Sequence, residues 1–228
     1  MERLRRPLRW EGEAKLSALL RLLQDFAGED ADRRGCGRAE LVKQGCVWVL
    51  VKYRLTIGRL PRPDEALTLT TWPICGRLGL YPRCFELLDE EGEPLLRAES
   101  LWAMMDLHSR GMISGEERGI LVLGAEEERF RPPRRIAVPE GGEVFAFTPS
   151  PDQIDLNGHM NNAAYLDAVE PVLPAAFRGR TPRALAVDYE HELLPGQHAM
   201  LRVVTEGESC FFEGSANDKV CFRLLEDF

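Results

Sequence analysis

Val47-Trp48-Val49-Leu50-Val51-Lys52-Tyr53-Arg54-Leu55-Thr56-Ile57 places an apolar side chain at every second position. Successive side chains of an extended chain point to opposite sides, so Val47, Val49, Val51, Tyr53, Leu55 and Ile57 share one greasy face of a long strand. That face needs a cover, and one stands just upstream. Between Glu13 and Ala31, Leu16, Leu19, Leu20, Leu23, Phe26 and Ala27 recur at helical spacing, with Gly28 and Gly35 near the end. The pair predicts an amphipathic helix laid against a long strand. Downstream, residues 67–72, 83–88 and 95–105 predict further strands, separated by turn-forming stretches such as Asp89-Glu90-Glu91-Gly92.

The same order then returns. A short strand at 143–148, a helix from about 162 to 177, and strands at 184–192, 199–206, 209–214 and 220–225 are expected in the second half. Tyr53 corresponds to Tyr189, and Pro63-x-x-x-Leu67-x-Leu69 corresponds to Pro195-x-x-x-Ala199-x-Leu201. Between the halves, residues 106–142 break the rhythm with Arg131-Pro132-Pro133-Arg134-Arg135 and Pro139-Glu140-Gly141-Gly142, and read as a linker. The expectation is an α+β chain of two related units, 1–105 and 143–228, each an antiparallel sheet curled around one central helix. Helices do not alternate with strands, so βαβ crossovers are not expected.

Composition narrows the function. The chain has 228 residues, 44% of them hydrophobic, and no apolar run approaching the roughly 20 residues of a membrane span. The basic start Met1-Glu2-Arg3-Leu4-Arg5-Arg6 is followed by Glu11 and Glu13 rather than an apolar signal core, so a soluble, cytoplasmic protein is expected. Six widely spaced cysteines without a C-x-x-C pair read as reduced thiols, mostly in the core. A formal charge of −8 argues against a nucleic-acid partner, which needs a concentrated basic surface.

The polar string Asp155-Leu156-Asn157-Gly158-His159-Met160-Asn161-Asn162, with Tyr165 following, sets a carboxylate, an amide and an imidazole just before the second expected helix. A helix start offers unpaired N–H groups and partial positive charge to a developing oxyanion, Asn157 can add a donor, and Asp155 and His159 supply an acceptor and a group titrating near neutrality. Singly, these residues are more often helix caps or solvated side chains; together they suit acyl transfer. Rival chemistries lack their signatures. Gly111-Met112-Ile113-Ser114-Gly115 has the wrong spacing for a serine-nucleophile elbow, and Asp155, His159, His191 and Glu192 form neither H-E-x-x-H nor a Cys/His cluster, so no metal or other cofactor is expected. His108 and His198 read as surface residues. Glu192 is a further carboxylate, but strict alternation puts it with Asp188 and Glu190, opposite Leu185, Val187 and Tyr189; a catalytic role requires a bulge to re-aim it.

Asp-x-Asn-x-His-x-Asn-Asn-x-x-Tyr, followed by Tyr189-Glu190-His191-Glu192-Leu193-Leu194-Pro195-Gly196, resembles the hotdog-fold thioesterases. The two-unit length narrows the resemblance to the acyl-ACP thioesterases of bacteria and plants. Leu22-Leu23-Gln24-Asp25-Phe26-Ala27-Gly28-Glu29, Trp48 to Tyr53, Thr71-Trp72-Pro73 and Ser100-Leu101-Trp102 look like landmarks of that family. The resemblance implies a double (tandem) hotdog with one active site, built from Asp155, Asn157, His159 and Glu192, that hydrolyses acyl-acyl carrier protein and ends fatty acid elongation. It implies acyl carrier protein, through its acyl-phosphopantetheine, as partner of a monomer or homodimer. Arg131, Arg134, Arg135, Arg178, Arg180 and Arg183 are the basic candidates to face that acidic carrier. Departures are Leu193 where plant members carry Cys, Ala168 in place of a large aromatic, Gln153 where an acid is frequent, and an opening at Leu8-Arg9-Trp10 that suggests a reduced first strand. An acyl-CoA thioesterase, or a binding module without catalysis, are the alternatives.

Overall fold

The computed structural model describes residues 2–77, 79–120, 122–125 and 132–228. The first half runs β1 (Leu4–Arg9), α1 (Leu16–Arg33), α2 (Arg38–Lys43), β2 (Cys46–Ile57), β3 (Ala66–Pro73), β4 (Leu80–Leu88), β5 (Pro94–Asp106) and the short β6 (Met112–Ile113). The second runs β7 (Glu143–Phe147), α3 (Ala164–Val169), β8 (Ala184–Tyr189), β9 (Ala199–Glu206), β10 (Ser209–Ala216) and β11 (Lys219–Asp227). One antiparallel sheet joins them in the order β1-β3-β4-β5-β2-β8-β11-β10-β9-β7, with β6 paired to β5. The order reads the same from either end once the strands of the second half are matched to those of the first, so the expected doubling is present.

The halves meet where β2 pairs with β8, from Lys52↔Asp188 to Thr56↔Ala184. Asp188 secures this seam: it is buried, Lys52 Nζ lies 3.0 Å and Arg54 Nη2 2.7 Å from its Oδ1, and the Ile136 N–H donates to its Oδ2 at 2.7 Å. Burial alone would raise the Asp188 carboxyl, yet the Ile136 N–H and Arg54 bring it below the usual carboxylate range.

On one face of the sheet, α1 presses Leu19, Leu20, Leu23 and Phe26 into a core shared with Tyr53, Leu69, Phe85 and Leu87, and continuous with Tyr165, Phe212 and Phe222 of the second half. Full burial of such side chains is the main stabilising term, about 1.5–3 kcal/mol each. α1 ends where Gly35 adopts a left-handed φ of 73° and the Cys36 N–H returns to the Ala31 carbonyl at 3.0 Å.

Three expectations need correction. The alternation in β2 does not run unbroken, because its pairing with β5 shifts between Leu50 and Lys52. The extra residue, Val51, reverses the phase: Tyr53, Leu55 and Ile57 are buried on one side of it, Leu50 and Cys46 on the other, and Val47 and Val49 are left only half-buried. The second helix does not reach residue 177. It stops at Val169, followed by a 3-10 turn over Glu170–Val172, because Pro171 brings no N–H and Pro174 holds Leu173 extended at ψ 127°. Finally, the opening strand is not reduced, since all six residues of β1 pair with β3, from Leu4↔Thr71 to Arg9↔Ala66.

Glu226 on β11 is buried on the same side of its strand as Phe222, Leu224 and Phe228. Desolvation, with the nearby Glu170 charge adding, pushes its carboxyl from the ordinary 4.5 up to about 7. A raised acid binds more protons folded than unfolded, so its penalty is absent below about pH 4.5, grows between 4.5 and 7, and is complete above 7. Glu226→Gln should therefore raise the thermal midpoint at pH 8, removing a penalty on the order of 3 kcal/mol, and leave it nearly unchanged at pH 4. Thermal melts at the two pH values check this.

Candidate active site

Residues 154–161 form a tight loop that closes on itself before α3 begins. Ile154 and Met160 bridge across it, the Asp155 N–H donates to the His159 carbonyl at 3.0 Å, and the Gly158 N–H donates to the Asp155 carbonyl at 3.0 Å. Gly158 turns the chain at a φ of 81°, a conformation that side chains disfavour. Within the loop, Asp155 Oδ1 accepts from the Asn157 N–H at 2.8 Å and its Oδ2 accepts from Asn157 Nδ2 at 3.2 Å. Both carboxylate oxygens thus face one asparagine. Leu156, at the tip, is 97% exposed.

This arrangement corrects the expected helix-start geometry. Asp155, Asn157 and His159 sit in a loop several residues ahead of α3, and the first helical N–H groups are already engaged: Ala163 donates to Asn161 Oδ1 and Ala164 to the Asn161 carbonyl, each at 2.9 Å. Asn161 closes the turn that leads into α3, and the chemistry-bearing side chains lie elsewhere.

Glu192 is brought to the loop by the end of β8. The strand stops at Tyr189, and the next two N–H groups, of Glu190 and His191, both donate to the Cys221 carbonyl at 2.8 and 3.0 Å. Two residues opposite one are a bulge, which resets the strand parity that would have turned Glu192 away. The Met160 N–H then donates to the Leu193 carbonyl at 2.8 Å, stitching the two segments together. As a result Glu192 Oε1 lies 3.8 Å from His159 Nε2, at side-chain exposures of 39% and 21%. His159 Nδ1 is 3.3 Å from the Met160 carbonyl. A carbonyl can only accept, so this contact fits the tautomer protonated on Nδ1, which leaves the lone pair on Nε2.

Two arginines from the first half complete the site, and neither was among the residues singled out from the sequence. Arg110, in the β5–β6 turn, sets Nη2 at 2.9 and 2.8 Å from the two oxygens of Glu192. Arg38, the first residue of α2, donates to Asn157 Oδ1 at 3.2 Å. The other polar candidates are engaged elsewhere. His108 and His198 are exposed, as expected, and His191 Nδ1 contacts the Val220 carbonyl at 2.8 Å. Of the basic candidates, Arg135 pairs with Glu190, Arg180 with Glu208 and Arg183 with Asp227, while Arg178 donates to the Leu173 carbonyl. Asp227 is opposite Ala184 at the far end of β8 from Glu192, so Arg183 stands away from the motif. Arg131 lies outside the described residues. Among the described residues no three His, Cys, Asp or Glu side chains converge as a metal set.

Cysteine is not part of this arrangement. Leu193 is buried at the position that the resemblance assigns to Cys in plant members, and none of the six cysteines is in a disulfide, only Cys75 being exposed. Burial pushes the thiols of Cys36, Cys46 and Cys221 up, and that of Cys210 to about 11, which leaves little thiolate at neutral pH. On the thioesterase reading that the sequence resemblance implies, single Cys→Ser variants should therefore release thiol at an unchanged rate per folded molecule. A variant that stays folded and loses turnover would reassign the nucleophile.

Two halves, one motif and the Glu192–His159 approach can now be set beside known proteins. The pattern of the acyl-ACP thioesterase N-terminal domain matches residues 8–117, and that of the C-terminal domain matches residues 140–220. The chain belongs to the acyl-ACP thioesterase family. Among curated proteins, acyl-[acyl-carrier-protein] hydrolase FATB3 of Cuphea viscosissima is 29% identical over 170 residues, covering 69% of this chain and 41% of the relative. The palmitoyl-acyl carrier protein thioesterase of Arabidopsis thaliana is 23% identical over 199 residues, covering 82% and 48%. The chain thus spans about half the length of the curated relatives it matches. In three dimensions, an acyl-ACP thioesterase from Bacteroides thetaiotaomicron superposes with a TM-score of 0.87 at 23% identity, covering 99% of this chain and 97% of the other. The 12:0-ACP thioesterase of Umbellularia californica gives 0.81 at 19% identity, covering 99% and 96%. These likenesses establish the hotdog fold of this acyl-ACP thioesterase family member. No helix among its described residues is long and apolar enough to cross a membrane.

Proposed function

We propose that the chain hydrolyses the thioester of acyl-acyl carrier protein and releases free fatty acid, with Asp155, Asn157, His159 and Glu192 as the reacting set. The observation that carries this reading is the approach of Glu192 Oε1 to His159 Nε2 at 3.8 Å beside the Asp155–Asn157 pair, in a member of this family. A water hydrogen-bonded at about 2.8 Å to both atoms would see them roughly 85° apart, near the opening between its own two protons. His159 Nε2 takes one proton as the water oxygen attacks the thioester carbonyl, while Glu192 holds the other. The carbonyl oxygen becomes an oxyanion that accepts from the second N–H of the Asn157 amide, the first being given to Asp155. The C–S bond then breaks, and the departing thiolate takes the proton from the imidazolium. Asp155, with both oxygens turned to Asn157, orients the amide rather than attacking.

This division of labour supports reading residues 1–105 and 143–228 as two units, the second carrying the chemistry, joined through 106–142. Five buried cysteines outside any disulfide support a reducing, cytoplasmic setting. Acyl-CoA hydrolysis uses the same chemistry with another carrier. Thiol release from acyl-ACP and acyl-CoA of matched chain tests the choice: a higher kcat/KM for the carrier-protein substrate is expected, and preference for the CoA ester would overturn that part of the reading.

A further inference from the structure

We infer that the first half of the chain, β1 to β6, which has no motif of its own, supplies the site's positioning residues: Arg110, in the turn just past the end of β5, holds the Glu192 carboxylate toward His159, and Arg38 fixes the orientation of the Asn157 amide. The inference rests on the hydrolase reading above and extends it across the seam between the halves.

Arg110 stands at a backbone position that is costly for it. Its φ is 58°, in the left-handed region where glycine is at ease and a long side chain is not. The turn is built to keep it there. The Asp106 N–H donates to the Gly111 carbonyl at 2.9 Å and the Arg110 N–H to the Asp106 carbonyl at 2.9 Å. Asp106 Oδ1 accepts from the N–H groups of His108 and Ser109, at 3.0 and 2.7 Å, and from the Ser109 hydroxyl at 3.0 Å. Arg118 pairs with the other oxygen, and the Ser109 bonds hold the Asp106 carboxyl below the usual carboxylate range. Strain kept in place by so many contacts calls for a return, and stability is a poor one: the Arg110–Glu192 pair is 56% and 39% exposed, and ion pairs in water stabilise little. What the turn does deliver is one guanidinium nitrogen across both oxygens of the carboxylate that faces His159.

Arg38 solves a different problem. An asparagine amide presents oxygen and nitrogen at nearly equal reach, and an oxyanion donor must present nitrogen. The guanidinium can only donate and therefore selects Oδ1, while the Asp155 carboxylate can only accept and therefore selects Nδ2. Between them the amide has one orientation.

The test uses the whole chain, with acyl-ACP and an acyl-pantetheine of the same chain length as substrates. Arg110→Gly relieves the left-handed backbone, so its thermal midpoint should equal or exceed that of the wild type. Its kcat should nevertheless fall about tenfold, within the hundredfold that an ångström of misplacement can cost, with KM changed far less. The loss should be equal on both substrates and should nearly vanish in the Glu192→Gln background, because Arg110 acts through Glu192. Arg38→Met should behave likewise against Asn157→Ala. Unchanged or raised kcat in Arg110→Gly, a loss that multiplies fully onto Glu192→Gln, or a loss confined to acyl-ACP would overturn the inference. Full activity of Glu192→Gln itself would instead overturn the hydrolase role of Glu192, and the inference with it.

Discussion

His159→Ala should slow thioester hydrolysis by roughly a hundredfold or more, the usual consequence of losing a general base. The expectation follows from the geometry: the Met160 carbonyl at 3.3 Å fits a proton on Nδ1, which leaves Nε2 as the basic atom, 3.8 Å from Glu192. Glu192→Gln keeps the size of the other partner and removes its charge, so it should be impaired on a similar scale without a change in packing. His159 makes a long contact of 3.3 Å to the backbone and is 21% exposed, so its removal should lower the thermal midpoint modestly through lost packing while the rate falls far more. Thiol release measured per folded molecule distinguishes the outcomes. Near-normal turnover by both variants would move the chemistry away from this pair.

Asn157→Ala carries the second large expectation. Removing an oxyanion donor typically costs about a hundredfold or more in kcat. Asn157 also has a local role, because its N–H and amide both bond to Asp155 and shape the loop. A purely local role predicts something else: about 1 kcal/mol of lost stability, as for a cap, with the rate of the folded fraction spared. Asp155→Asn separates the contributions further. It retains an oxygen to receive the Asn157 N–H but no longer presents two acceptors, so the amide loses its fixed orientation and the rate should fall with little change in melting temperature. Paired kinetic and thermal measurements on the two variants check this. Destabilised variants with normal rates would reduce the loop to architecture.

The candidate site was legible where its proposed chemistry is local. Asp155, Asn157 and His159 fall within five residues, so one loop carries them into one place and the sequence alone brings them together. Glu192 was legible only through family resemblance, since its parity in β8 pointed away. The bulge at Glu190 and His191 depends on the Cys221 carbonyl across the sheet, a contact that leaves no mark in the local pattern. Arg110 is 82 residues from Glu192 and Arg38 is 119 from Asn157, and each looked like an ordinary charge on a loop or helix end. The one available signal was negative: an Asp-x-x-x-x-Gly turn after a long strand in which the residue before Gly111 is a long cation. The repeated order of helix and strands foretold the doubled sheet, because periodicity reports which face is covered. It could not foretell the phase reversal at Val51, where one unpaired residue exchanges the faces. The short α3 has its signal in the sequence, for Pro171 and Pro174 are helix terminators.

The central claim is that this loop and Glu192 turn an acyl-thioester into acid and thiol rather than merely hold it. The measurement that bears on it most directly is incubation of the purified chain with excess acyl-ACP, counting free thiol while mass spectrometry follows the fatty acid. The account predicts many turnovers, with one free acid formed for each thiol released. Tight binding of intact acyl-ACP with no thiol released would contradict it and leave a binding module on the same fold.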